Sequence, residues 1–191
     1  MRIAAGEATW IVNTTIQLRD KPNIQVYLPE FADAAPVVDL ALRGRPPASG
    51  PGSMLYGNRV IDACLYDGFN AQSEQYDIRV VDPASADSTL YVRHTDPQQP
   101  GSSSERIAYE VWAPDPSSGT PQRFLSGQSY SFGGIGAAEW RLVRIPFSSL
   151  PVVCTPWPIT LVTPEFSSAD KRAGRYVGQL QILFSPLITA P

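Results

Sequence analysis

The chain has 191 residues, a hydrophobic fraction of 43%, a charged fraction of 17% and a formal net charge of −3. That length suits one large domain, or one domain with an attached fragment, and suffices to bury a core without metals or many disulfides. The negative balance lacks the basic face that non-specific nucleic-acid binding needs, and no apolar run approaches the roughly 18–20 residues of a membrane span.

Nineteen prolines and fourteen glycines punctuate short apolar runs, as the turns of a β-protein do. Met1-Arg2-Ile3 is followed by small residues and then by Glu7, so the opening does not read as a signal peptide. Alternation with a period of two recurs throughout, and no stretch of ten or more residues reads as an amphipathic helix. Residues 8–19 place Trp10, Val12, Thr14, Ile16 and Leu18 on one face. A break at Asp20-Lys21-Pro22 follows, then a short strand over 23–28. Further strands are expected at 37–42, 59–66, 76–81, 89–94, 106–113, 140–145 and 159–163. The last expected strand, 175–185, puts Tyr176, Gly178, Leu180, Ile182 and Phe184 on one side. Loops rich in Pro, Gly and Ser are expected at 44–53, 96–104 and 113–121. Many short strands at this spacing predict an all-β sandwich of the immunoglobulin type.

Residues suited to catalysis are few. His94 is the single histidine, and its place at a strand end beside Arg93 and Asp96 reads as a surface histidine rather than a catalytic base. Asp82, Asp87 and Asp96 read as turn formers, not metal ligands. Gly133-Gly134-Ile135-Gly136 lacks the lysine of a phosphate loop and has no helix pattern after it, so it reads as a glycine turn. No catalytic residue, metal site or cofactor is expected.

Two features ask for more. Strand 175–185 is apolar and almost terminal, whereas a complete immunoglobulin sandwich has a further strand to occupy that edge. Strand 8–19 has a full apolar face with little upstream chain to cover it. The two cysteines, Cys64 and Cys154, are too far apart for the usual zinc or CxxC arrangements. Their number allows either two free thiols or one disulfide, and a disulfide would imply export.

The segments Asn23-Ile24-Gln25-Val26-Tyr27-Leu28-Pro29-Glu30-Phe31 and Val38-Asp39-Leu40-Ala41-Leu42-Arg43 resemble a known family. So do Asp62-Ala63-Cys64-Leu65-Tyr66-Asp67-Gly68, Pro151-Val152-Val153-Cys154 and Ala173-Gly174-Arg175-Tyr176-Val177-Gly178. The family is the C-terminal pilin-like domain of tip adhesins and initiators of class 5 (alpha) chaperone–usher fimbriae, of the CfaE and CblD type. The resemblance spans roughly residues 8–187 and is weakest over 82–140; the loop 113–121, rich in Pro and Ser, departs from it.

The resemblance implies an immunoglobulin-like sandwich lacking its final strand, with a Cys64–Cys154 disulfide. It implies a hydrophobic groove lined by Tyr176, Gly178, Leu180, Ile182 and Phe184, filled first by a periplasmic chaperone and then by a donor strand from the major pilin. It implies an outer-membrane usher as a further partner, a chaperone anchor at the C-terminal Pro191, and passage through the periplasm to the fimbrial tip. Residues 1–19 then read as the last strand and linker of an upstream adhesin domain, with the pilin-like domain over 20–191. The uncovered strand 8–19 is a candidate surrogate donor. The alternative is a self-contained extracytoplasmic immunoglobulin-like binding module.

Overall fold

The computed structural model describes residues 24–32, 35–46, 52–68, 73–146 and 150–187. The expected strand 8–19 and Pro191 lie outside them. Fourteen strands are described: β1 (Gln25–Tyr27), β2 (Leu42–Arg45), β3 (Met54–Ile61), β4 (Cys64–Tyr66), β5 (Gln75–Val81), β6 (Leu90–His94) and β7 (Arg106–Pro114). They continue with β8 (Pro121–Phe124), β9 (Ser129–Gly133), β10 (Arg141–Val143), β11 (Val152–Pro156), β12 (Ile159–Ser167), β13 (Tyr176–Val177) and β14 (Gln181–Leu187). Among the described residues the helical pieces are short 3-10 turns at Ser103–Glu105, Ile135–Ala137 and Ser168–Asp170.

Every strand pair is antiparallel. The largest sheet runs β13-β6-β7-β12-β3-β2, with β8 also paired to β7. A four-stranded sheet runs β1-β4-β11-β10 and a three-stranded one β14-β5-β9. One apolar core joins all three: Val26 and Leu65 from the four-stranded sheet, Ile78, Phe132 and Phe184 from the three-stranded, and Val92, Val111 and Leu161 from the largest. The result is the all-β, sandwich-like architecture expected from the strand spacing.

Sequence alternation explains the long strands. Ile107, Tyr109, Val111 and Ala113 of β7 are buried while their neighbours are not, as a half-buried strand requires. Ile159, Leu161 and Thr163 do the same in β12.

Two expected strands divide where the chain passes from one sheet to another. The expected 59–66 begins earlier, at Met54, and splits at Asp62-Ala63 into β3 of the largest sheet and β4 of the four-stranded sheet. The expected 175–185 splits at 178–180 into β13 and β14, again in different sheets. Alternation runs through the second bend, because Tyr176, Gly178, Leu180, Ile182 and Phe184 are all buried. A period-two pattern therefore cannot reveal it.

The expected strand 37–42 is mostly irregular, and β2 continues into the expected loop. Its cause is local: the Asp39 carboxylate accepts the Ala41 amide at 2.7 Å, and Ala41 takes a left-handed φ of 52°. Gly57 of β3 admits the same segment. A Cβ there would stand 2.7 Å from the Leu40 carbonyl. The expected 140–145 shrinks to β10, whereas the expected 159–163 extends to Ser167. Strands β8, β9 and β11 were not anticipated; β8 and β9 each bury a single side chain, Phe124 and Phe132.

Candidate functional site: the last strand, its clasp and the disulfide

The last described strand is an edge. β14 pairs with β5 along its whole length, from Gln181 opposite Val81 to Leu187 opposite Gln75. Among the described residues no strand pairs its other side. In an antiparallel ladder, successive residues direct their backbone N–H and C=O groups alternately to the two sides. β14 therefore offers a row of main-chain donors and acceptors beyond β5, save for Pro186, which has no N–H. β1 is also an edge, pairing among the described residues only with β4.

The residues expected to line a groove belong to this neighbourhood, with a changed geometry. Leu180, Ile182 and Phe184 are fully buried in the main core, and the Phe184 ring meets Tyr76 edge-on with centroids 4.9 Å apart. Burial pushes the Tyr76 phenol up to about 12, and its hydroxyl lies 3.4 Å from the Thr155 hydroxyl. Tyr176 and Gly178 are buried too, but they precede the strand switch, and Tyr176 stands opposite His94 of β6. The continuous pairing edge is thus Gln181–Leu187 rather than the whole of 176–186.

A polar clasp fixes the chain just before that edge. His94 is buried, which corrects its reading as a surface histidine. Its Nδ1 lies 3.1 Å from the Asp96 amide and its Nε2 3.1 Å from the Ala173 carbonyl. Nδ1 also lies 2.9 Å from the Asp96 carbonyl, so the ring sits against both backbone groups of Asp96 and the carbonyl of Ala173, its donor and acceptor roles depending on the tautomer. Gly174 packs on this ring at φ 146°, where any Cβ would overlap the imidazole.

Beside the histidine, the Glu105 carboxylate accepts the amides of Gln98 and Gln99, each at 2.8 Å, and the Arg172 guanidinium at 3.2 Å. Arg172 also donates to the Asp96 backbone carbonyl. Lys171 Nζ donates to the carbonyls of Ser103 and Arg106, and the Tyr176 hydroxyl sits between the carbonyls of Ser104 and Arg172. These bonds join the loop after β6 to the loop before β13.

Of the aspartates expected to form turns, Asp82 and Asp87 do so. Asp82 accepts the Ala84 and Tyr91 amides and binds Arg93 at 2.9 Å, while Asp87 accepts the Thr89 amide. Asp96 lies in the clasp. In the glycine segment, Gly134 turns at φ 71° into the 3-10 segment that follows. Among the described residues no group of histidine, cysteine and carboxylate side chains could hold a metal.

Cys64 and Cys154 form a disulfide between hydrogen-bonded neighbours, β4 and β11, with Cα atoms 5.7 Å apart. It lies in a second apolar cluster with Tyr66, Ile145 and Val152. Arg141 spans the cluster, pairing with both oxygens of Asp62 and donating to Cys64 Sγ.

The described residues thus form an all-β sandwich whose last described strand is a sheet edge and whose adjacent strands β4 and β11 are bridged by a disulfide. Residues 24–188 match the family formed by the second domain of the CFA/I fimbrial protein CfaE, and the chain belongs to that family. The CFA/I fimbrial protein CfaE of Escherichia coli is 30% identical over 183 residues, which are 93% of this chain and 46% of the relative. Among solved structures, CfaE as the adhesive component of the CFA/I fimbria of enterotoxigenic Escherichia coli shares the fold. It has a TM-score of 0.62 at 24% identity, over 89% of this chain and 50% of that one. A chaperone–tip adhesin complex from CFA/I fimbriae biogenesis has a TM-score of 0.61 at 28% identity, covering 88% of this chain and 44% of that one. The chain spans about half the length of the relatives it matches.

Proposed function

We propose that this chain is the pilin-like part of a fimbrial tip subunit, and that it anchors an adhesin to the pilus by accepting a donor strand from the major pilin. The observation that carries this reading is the edge of β14, which no strand pairs among the described residues, in a domain of the CfaE second-domain family. A strand laid along Gln181–Leu187 gains main-chain bonds, and its alternate side chains select the register. Leu180, Ile182 and Phe184 are covered, so a donor's side chains reach them by exchange with neighbouring apolar groups rather than by filling open space.

The related chaperone–tip adhesin complex supports a periplasmic chaperone as an earlier partner of the same edge. Pro191 is its proposed C-terminal anchor, and an outer-membrane usher completes the route from periplasm to fimbrial tip. The work is structural assembly, not catalysis. Residues 1–19 are assigned to the upstream adhesin side and 20–191 to the pilin-like unit.

The test is thermal unfolding of the domain with a synthetic peptide of the major pilin's N-terminus. A peptide at one hundred times its Kd should add about 2.7 kcal/mol, a rise of several degrees in Tm. Absence of any shift with the cognate donor, in the chain and in a variant lacking residues 1–19, overturns the proposal.

A further inference from the structure

Among the described residues the four-stranded sheet ends at β10, with no strand paired beyond it. Register places Leu142 opposite Val153, and Ile24, Asp67 and Val153 follow in one row when the pairs Gln25–Tyr66, Thr155–Leu65 and Arg141–Cys154 are extended along their strands. The next row but one runs Val26, Leu65, Thr155 and then Trp140, just ahead of β10. Directly opposed residues in an antiparallel sheet share a face. Arg141 reaches the disulfide on the other face, which agrees with Trp140 and Leu142 lying on the core-facing side.

Along that side burial stops abruptly. Val26, Leu65 and Thr155 are covered, but Trp140 is 64% exposed and Leu142 63%. An indole and an isobutyl group adjoining a core at such exposure form the kind of apolar patch that a partner covers. Arg144, two residues beyond Leu142, is exposed and gives the patch a polar neighbour, as at the rims of protein interfaces.

The location says which partner fits. Ile24, where the described chain enters β1, is in the same row as Leu142, three strand spacings away, or about 14 Å. Leu150, just ahead of β11 at this same end of the sheet, is 72% exposed. The family is that of a second domain, and the matched relative is about twice as long as this chain. A folded unit tethered at Ile24 is held within reach of the flank at high effective concentration, so a small apolar contact suffices to dock it.

We infer that the Trp140–Leu142 flank of the four-stranded sheet is the seat of the domain preceding residue 24 in the full polypeptide. This rests on the fimbrial reading of the domain. It assigns the domain's two partners to the edges of different sheets: the donor strand to β14, the preceding domain to β10.

The experiment compares the 191-residue chain with the polypeptide of the complete reading frame. Acrylamide quenching of Trp140 is read as the difference between each protein and its Trp140→Phe variant. Covering the indole in an interface centre, where water is excluded, should lower its quenching constant in the longer polypeptide. Leu142→Asp in that polypeptide should restore the quenching and increase proteolytic cleavage between the domains, while the donor-peptide Tm shift persists. Equal quenching in both proteins, or a reading frame with no preceding domain, overturns the inference. A loss of quenching without any donor-peptide shift would uphold this seat and refute the donor-strand function, so the two failures are distinguishable.

Discussion

Glu105 shows how a single buried charge ties two loops together. Burial alone would raise its carboxyl pKa, but the Gln98 and Gln99 amides and the Arg172 guanidinium outweigh that, and it is held below its ordinary value of 4.5. A depressed folded pKa contributes stability above the unfolded value and loses it as pH falls through the folded one. Acid should therefore weaken the clasp only below about pH 4.5. Glu105→Gln retains one acceptor oxygen for two backbone amides and turns an N–H₂ toward the other. The variant should be less stable at neutral pH, and its unfolding midpoint should change less between pH 5 and pH 3 than that of the parent, read by urea denaturation across that range. An equal acid slope in both proteins would show that Glu105 is not the group being titrated.

Nothing in the sequence marked Glu105, because its partners come from its own loop and from Arg172, far along the chain. His94 escaped in the same way. Its neighbours in sequence, Arg93 and Asp96, are polar, while its covering comes from Ala173, Gly174 and Tyr176. The ring of Tyr176 meets it edge-on at 5.2 Å. The motif around 173–178 was legible as a motif; its contact with a histidine on another strand was not.

At the scale of elements, the molecule is organised by strands that change sheets. β3 passes to β4 at Ala63, and β11 passes to β12 at Trp157, and the two crossings touch through the Trp157 amide and the Ala63 carbonyl at 2.8 Å. Trp157 fills this junction. It is fully buried, meets Phe124 edge-on at 5.5 Å, and donates its indole N–H to the Pro114 carbonyl at 3.0 Å. Trp157→Ala should cost about 3–5 kcal/mol from lost burial and the cavity. Trp157→Phe keeps much of the ring but leaves the Pro114 carbonyl without its donor, and should cost about 1–3 kcal/mol. Chemical denaturation of both variants checks the order; a smaller loss for alanine than for phenylalanine would contradict the role of packing here.

Across the whole molecule, the disulfide and the β14 edge bear on one another. Cys64 and Cys154 are 90 residues apart in sequence. Closing a loop of that length stabilises a fold by about 4–5 kcal/mol in the chain-entropy model. The stretch between them contains β5, the strand that supports β14. Reduction should therefore lower the Tm of the unpartnered domain steeply, and the Tm of a donor-complemented one less visibly, because bound strand adds its own stability. Scanning calorimetry with and without reductant, in the presence and absence of the donor peptide, measures both. If the reduced domain unfolds at the same temperature as the oxidised one, the bridge does not brace it.

The sequence by itself determined that the protein is built of short strands, and ordered motifs around both cysteines and the last strand marked its family. These are local properties: a period of two, turn residues, and short contexts that survive without knowledge of the fold. Only the tertiary structure decided where strands change sheets, which loops meet at Glu105 and His94, and that Gln181–Leu187 forms the edge while Tyr176 belongs to another sheet. The physical reason is that alternation records which side of a strand meets the core. It does not record which strand lies alongside, and in this molecule the neighbour defines the site.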